Sequence, residues 1–534
     1  MPTSPWVKTI NYAQIVRGVL KFGGAPPIPD PAAAVRERFE RRVDDFIETV
    51  RRVVFENPGN PYHALFRLAG CTFGDFAQSV RRDGLEPTLS ALQRGGVYLT
   101  HEEFKGRRPI VRGSLEIQAR PDRFVNPSVR ALLETTSSGS TGPPSRTPKG
   151  LERTLYTEAC QRLVYQEYGL HRAAYVELRT ILPGTTGLNH VLRRERMGFA
   201  PGAWLCAGRS LRRDGDYRLA TYALLLMLRT KGLRPPFPRL LADGDFLTPA
   251  RWVAARRREG RACLISGMTS AVTRVAAAAL EHGLDIRGSV AQTGGEPITE
   301  AKHALFRRAG LLPLNGYWTN EVGLIGLSCP AMAADGDAVH HFSEATAVVP
   351  RHGSVPGWPV PVDSLLFTTL LPFSPLLLIN VEVGDTAVIE PARCGCPLAR
   401  LGLATQLRGI HSVGKLTGQG MTVLGADIVA ILEAALPARL GGAPGDFQLV
   451  EHEGRDQTEL LLLVSPRVPI PGTEAVREAF FEELRRRDGG LQAERIWRQS
   501  QTLRVIVAEP TGTASGKVPP LRRLVSARSL THAS

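Results

Sequence analysis

Between residues 32 and 82 the apolar positions recur at helical spacing, with Val43, Phe46, Ile47 and Val50 on one face, which predicts an opening helical layer. Further along the rhythm changes. Short apolar runs at 176–182, 262–266 and 289–293 alternate with helical stretches at 271–282 and 300–309, the pattern of strands joined by crossover helices. An α/β sheet is expected, with function in the loops at its strand ends. The most apolar stretch, 365–383, is broken by Pro372 and Pro375 and runs into Glu382 and Asp385, so it reads as buried strands rather than a membrane span. After Cys394 and Cys396 the sequence becomes glycine-rich around 409–425. A helix at 428–436, a strand at 459–464, a helix at 473–487 and a strand at 502–507 then predict a small α+β unit. The expected domains are residues 1–408, mixed sheets with packed helices, and residues 409–534.

Composition narrows the function classes. A chain of 534 residues exceeds what one core organises, which agrees with two units. The net charge of +15 suits an anionic partner such as nucleic acid, an acidic membrane, a nucleotide, coenzyme A or an acidic carrier protein. Arginine supplies most of that charge in scattered groups such as Arg256, Arg257 and Arg258, which read as solvated helix faces rather than a nucleic-acid arm. Lysine is scarce, with eight in the chain, so a lysine inside a glycine motif stands out. Seven cysteines make no disulfide framework, and the N-terminus has no sustained apolar core ahead of a cleavage site, so a reducing cytoplasm is expected.

Three separated segments carry candidate chemistry. Residues Ser137, Ser138, Gly139, Ser140, Thr141 and Gly142 pack hydroxyls and glycines into a short turn whose backbone N–H groups can surround a phosphate. The turn lacks the Gly-Lys-Ser/Thr ending of a Walker loop; its alternative reading is a surface turn. Gly294, Gly295, Glu296 and Pro297 follow an apolar run and admit a flat ring close to the backbone. Downstream, Asn315 can read the amino edge of such a ring, Tyr317 can stack on it and Glu321 can hold magnesium. Near the C-terminus, Ser515-Gly516-Lys517 places an ammonium on a glycine loop, suited to charge developing between a carboxylate and an α-phosphate.

In order and separation these segments resemble the adenylate-forming superfamily of acyl-CoA synthetases, adenylation domains and luciferases, over essentially the whole chain. The resemblance implies that Asp385, after Gly384, binds ribose hydroxyls, that Arg408 adds a ribose contact, that Asn320 belongs to the nucleotide site, that Glu321 holds the magnesium, and that Lys517 arrives on a mobile C-terminal domain. The Ser-Ser-Gly-Ser-Thr-Gly loop, the Gly-Gly-Glu-Pro segment and the Cys-x-Cys after Asp385 are similar to phenylacetate-CoA ligases. That branch implies ATP, magnesium and coenzyme A acting on a small carboxylic acid, with Ser266, Gly267 and Met268 lining the acid pocket. Some of its relatives hold a structural zinc, which implies ligands Cys329, His340 or His341, Cys394 and Cys396; the alternative is free thiols and a surface histidine pair. The sequence departs from the pattern at Ser145, at Trp318 in place of glycine, at Asn320, and at residues 407–412, where no hinge carboxylate can be assigned. The expected activity is acyl-adenylate formation followed by transfer to coenzyme A. The alternatives are transfer to a carrier protein or an amine, and a noncatalytic nucleotide-sensing or nucleic-acid-binding protein.

Overall fold

The computed structural model describes residues 5–136, 146–182, 185–207, 215–242, 245–296, 298–334, 336–353, 362–412, 425–453, 458–487, 494, 497–498, 503–512 and 518–524. The predicted opening helices are present. The helix Pro31–Val50 begins with Pro31 behind Asp30, whose side chain accepts from Ala33 N–H, and Thr72 and Asp75 close a capping box on the helix Phe73–Asp83. These helices bury Phe46, Phe66, Phe76 and Leu89 in one core with the antiparallel strands Thr346–Gly353, Val362–Thr369 and Val381–Glu382. The apolar stretch after residue 364 thus contributes the interior of a sheet.

Ten strands of the described residues form one mixed sheet. Six run parallel, in the spatial order Pro238–Leu241, Ala203–Ala207, Ala174–Glu177, Cys263–Ser266, Val290–Gly294 and Leu312–Thr319. Helices including Thr269–Glu281 and Glu300–Arg308 connect them, as the alternating pattern predicts. The sheet continues antiparallel through Gly323–Leu327, Val339–His341, Thr405–Ser412 and Asp385–Pro391. The expected boundary after Arg408 falls inside the strand Thr405–Ser412, because pairing with Asp385–Pro391 carries the chain on to Ser412.

The C-terminal segment builds its own sheet. Phe447–Glu453 pairs antiparallel with Thr458–Val464 and parallel with Leu521–Leu524, while Leu503–Val507 adds parallel to Thr458–Val464. The helix expected at 428–436 runs as Gly425–Ala430, a wide turn at Ile431–Ala435, and Leu436–Leu440, since Pro437 has no N–H to continue the α ladder. With the helix Thr473–Arg485 it encloses Ile431, Phe447, Leu462 and Phe480.

Candidate active site

The ends of three parallel strands meet in a buried polar network. Glu177 and Ser266 end their strands, and Gln292 lies within Val290–Gly294. Arg179 Nη1 donates to Glu177 Oε1 and to Ser266 Oγ, each at 2.8 Å. Arg194 bonds the other Glu177 oxygen and reaches Ser266 Oγ at 2.7 Å and Gln292 Oε1 at 2.8 Å. Burial of so many polar groups is tolerable because they answer one another, with Arg194 Nε left without a hydrogen-bond partner among the described residues. Ser266, expected to line an acid pocket, is fully buried here with its hydroxyl between two guanidinium groups. Gly267 accepts from Arg179 at 2.9 Å, and Met268 turns the chain into the helix Thr269–Glu281.

Beside these strand ends lies the glycine segment. Gly294 stands opposite Gly316 in parallel register. A Cβ on Gly316 would sit 2.6 Å from Trp318 Nε1, and one on Gly294 would lie 3.3 Å from Gly316 O, so the indole of Trp318 takes the space both glycines leave. Gly295 has φ near +78°, which turns the chain sharply after the strand. The Glu296 carboxylate accepts from Ser270 N at 2.7 Å and meets Ser270 Oγ at 3.2 Å. Pro297 lies outside the described residues.

Asn315 and Tyr317 share one face of the strand Leu312–Thr319. Asn315 Nδ2 donates to Gly336 O at 2.8 Å, and its buried Oδ1 finds no hydrogen-bond partner among the described residues. Tyr317 O–H donates to Asp385 Oδ2 at 2.8 Å while its ring packs edge-on against Phe367, and burial raises its phenol well above the ordinary range. Asp385 pairs across to Ser412 at the end of the strand Thr405–Ser412. Arg408 on that strand bonds Glu390 Oε1 at 2.7 Å, and Asp337 accepts from Gly409 N and Ile410 N at 3.0 and 3.1 Å. A cavity of about 660 Å3 opens here, bordered by Thr299, Gly336, Asp337, Glu390 and Arg408.

Glu321 lies in the turn after Tyr317 and bonds Lys105. Burial acts against its charge, but the neighbouring Lys105 ammonium, with Lys149 beyond it, outweighs burial and lowers the carboxyl below the ordinary glutamate value. Lys149 donates to Asn320 O at 2.7 Å, and burial brings its ammonium down to about 8. The loop of Ser137, Ser138, Gly139, Ser140, Thr141 and Gly142, together with Ser145, lies outside the described residues, between the paired strands Ala131–Thr136 and Arg146–Gly150.

Lys517 also lies outside them, but both flanks of its loop are placed. Buried Gln448 donates from Nε2 to Thr511 O at 3.0 Å and to Pro519 O at 2.7 Å, and accepts from Thr511 N at 2.7 Å. One side chain therefore holds the two ends of the glycine loop together. Val518 N–H, next to Lys517, donates to Ser270 Oγ at 3.4 Å, the same hydroxyl that meets Glu296. Around this contact Lys302 pairs with Glu433 at 2.7 Å, both 2% exposed, and Arg274 reaches Gly445 O at 3.0 Å and Glu509 at 3.2 Å.

Cys329, His340, Cys394 and Cys396 come together with their ligand atoms all within 4.8 Å of one another. His340 Nε2 lies 3.3 Å from Cys394 Sγ and 3.2 Å from Cys396 Sγ, and the two sulfurs are 3.5 Å apart. Leu403 O lies 2.8 Å from His340 Nδ1, so that nitrogen carries the proton and Nε2 presents its lone pair to the thiols. Met332 N and Ala399 N each donate to a cysteine sulfur at 3.5 Å, which favours thiolate character. Of the two histidines the sequence offers, strand alternation sends His341 the other way, to Thr346 Oγ1 at 2.9 Å.

Sequence reasoning missed Lys105, Lys149, Asp337, Gln448 and the Glu177–Arg179–Arg194 network. The scarcity of lysine was the one signal that could have pointed to Lys105 and Lys149. Lys105 lies 216 positions before Glu321 and Asp337 lies 72 before Gly409, so no local pattern joins those pairs.

The fold, with a large N-terminal part and a small C-terminal one, is like that of a CoA ligase of known structure. Neither family models nor curated protein sequences match the chain. Among solved structures it is similar to 2-hydroxyisobutyryl-CoA ligase in the postadenylation state in complex with 2-HIB-AMP, at 14% identity over 92% of this chain and 90% of that one, TM-score 0.53. The same ligase in complex with 2-HIB-AMP and CoA in the thioesterification state matches at 16% identity over 91% and 90%, TM-score 0.45. O-succinylbenzoate coenzyme A synthetase from Bacillus subtilis, in complex with ATP and magnesium ion, matches at 11% identity over 73% and 69%, TM-score 0.41. No helix among the described residues is long and apolar enough to cross a membrane.

Proposed function

We propose that the protein is an ATP-dependent acid–thiol ligase that activates a small carboxylic acid as its acyl-adenylate and passes the acyl group to a thiol, most simply that of coenzyme A. The observation that carries this reading is the contact of Val518 with Ser270: it brings the residue beside Lys517 to the strand-end loop that leads from Ser266 and to Glu296, some 250 positions earlier in the chain. Adenylation needs a cation from the tail at these strand ends, and Val518 shows the tail segment reaching them.

In this reading the adenine lies by Gly295, with its amino group meeting Asn315 Oδ1, which has no hydrogen-bond partner among the described residues, and with Tyr317 beside it. Asp385 and Arg408 serve the ribose, while the hydroxyl-rich loop from Ser137 to Gly142 cradles the phosphates. A single buried carboxylate, Glu321 next to Asn320, fits magnesium, which is commonly held by one or two carboxylates together with substrate phosphates and would there neutralise phosphate charge. The acid's carboxylate oxygen attacks the α-phosphorus, the bond to the bridging oxygen breaks and pyrophosphate leaves, while the Lys517 ammonium balances the charge gathering on the α-phosphate oxygens. A thiolate then attacks the acyl carbonyl and AMP departs. Met268, the residue of the 266–268 segment that is not buried, borders the acid, and the residues after Ser412 form the unit that must shift to admit the thiol.

Cys329, His340, Cys394 and Cys396 are proposed to hold a structural zinc. Three thiols and one imidazole with its far nitrogen anchored on Leu403 O match the donor set and outer-shell bonding of such sites.

The test is pyrophosphate exchange over aryl, arylacetic, short-chain and long-chain acids, repeated with Lys517→Ala. One acid should stimulate exchange, and the substitution should nearly abolish it while ATP still binds. Exchange that continues unchanged in Lys517→Ala would remove the role assigned to that lysine.

A further inference from the structure

The helix Gly215–Thr230 carries apolar residues on two opposite faces, and the described residues cover one of them. Its inner face puts Leu224, Leu225 and Leu228, all fully buried, into a core with Val19, Phe22 and Leu192. Its outer face carries Leu219, Ala223, Leu226 and Met227 at positions i, i+4, i+7 and i+8, which form one stripe. Leu219 is 73% exposed, Leu226 56% and Met227 36%. Nine large apolar side chains are exposed among the described residues; three lie on this stripe, and the other six are scattered over six separate elements. Single exposed apolar residues are ordinary on a protein surface, whereas a stripe marks a contact. A helix that is apolar all round is normally buried all round, so this outer face calls for a cover.

Charge decides what that cover is. Residues 215–239 hold five cations, Arg218, Arg229, Lys231, Arg234 and Arg239, against one acid, Asp216. Arg218 and Arg229 stand three turns apart along one side of the stripe, their guanidinium groups 5.7 Å from the Tyr222 ring and 4.0 Å from the Phe237 ring. Lys231 directly follows the helix, and Arg218, Lys231, Arg234 and Arg239 are all exposed. A second copy of the chain would set this positive rim against its own like, which opposes self-association through the stripe. We propose that the helix Gly215–Thr230 docks the protein on an anionic membrane surface. Leu219, Leu226 and Met227 enter the boundary between headgroups and acyl chains, while Arg218, Lys231 and the neighbouring cations meet lipid phosphates. A ridge of leucine and methionine suits this task, because a lipid surface takes up apolar area without a shaped pocket. The helix leads into Pro238–Leu241, the outermost strand of the large sheet, with three strands between it and Val290–Gly294. The docking face therefore uses none of the residues assigned to the ligase site.

Vesicle flotation of the full-length chain tests this, with vesicles of phosphatidylcholine alone and of phosphatidylcholine mixed with phosphatidylglycerol, at low and at high salt. Wild type should float with the mixed vesicles at low salt, and far less with phosphatidylcholine alone or at high salt. Leu219→Gln combined with Leu226→Gln should lower partitioning at least about tenfold, and so should Arg218→Ser combined with Lys231→Ser. Leu280→Gln, at an exposed leucine on another helix, should change nothing. All of these side chains are exposed, so each variant should keep the wild-type circular dichroism spectrum. No flotation of wild type with mixed vesicles, or flotation that both double variants retain, would overturn the proposal. So would light scattering that finds a wild-type dimer and a monomeric Leu219→Gln/Leu226→Gln chain with flotation unchanged, a result that would assign the stripe to a second copy.

Discussion

Glu344 shows how a single side chain can couple this fold to pH. It is buried, accepts from Tyr156 O–H at 2.9 Å, and keeps its second oxygen without a hydrogen-bond partner among the described residues. Burial raises its carboxyl to about 7, with Tyr156, Arg153 and Arg42 pulling the other way. Because the folded value lies above the unfolded one, the folded state binds this proton more tightly. The stabilisation is complete below about pH 4.5 and is lost as pH rises through about 7, with a ceiling on the order of 3 kcal/mol. Glu344→Gln keeps an acceptor for Tyr156 and removes the titration. The melting temperature of wild type should therefore fall more between pH 5 and pH 8 than that of the variant; an identical fall in both would refute the assignment. At the same scale, the glycines opposite Trp318 explain a departure that the sequence presented without reason, since a side chain on Gly316 would collide with the indole.

Among the elements, the antiparallel half of the large sheet is joined at its ends by the Cys-His cluster. Cys329 follows the strand Gly323–Leu327, His340 lies on Val339–His341, and Cys394 and Cys396 follow Asp385–Pro391, with Cys396 capping the helix Pro397–Arg400. Bound zinc would cross-link three strand ends, and its binding free energy would add to the stability of this edge. Elemental analysis of the purified chain should find about one zinc per molecule, and Cys396→Ser should lose most of it, with a lower melting temperature. Chelator treatment of wild type should lower the melting temperature towards that of Cys396→Ser. A metal-free wild type that melts identically with and without chelator would leave the cluster as free thiols.

For the whole molecule, the contact between the two parts includes a buried ion pair. Lys302 and Glu433 are buried together, and removing one partner strands the other, which costs about 3–5 kcal/mol for buried pairs. Lys302→Met should therefore loosen the C-terminal segment, seen as faster limited proteolysis between the parts and weaker pyrophosphate exchange. Adding Glu433→Leu should restore much of both, because two apolar residues can replace a buried ion pair. No change in proteolysis in the single variant would show that the pair does not hold the parts together. Elements with a strong period were legible without coordinates: the opening helices, the strand Cys263–Ser266, the helix Thr269–Glu281 and the strand Thr458–Val464 lie within a few residues of where the apolar pattern puts them. The domain boundary was less legible, since the pairing of Thr405–Ser412 depends on a partner strand and not on its own composition. Residue types at set spacings determined the candidate chemistry, because a glycine loop, a strand-borne tyrosine or a Cys-x-Cys carries its properties locally. Only the tertiary structure decided between His340 and His341, set Lys105 and Lys149 on Glu321, and brought Val518 to Ser270, since these pairings arise from how distant strands and helices stack and leave no trace in local periodicity.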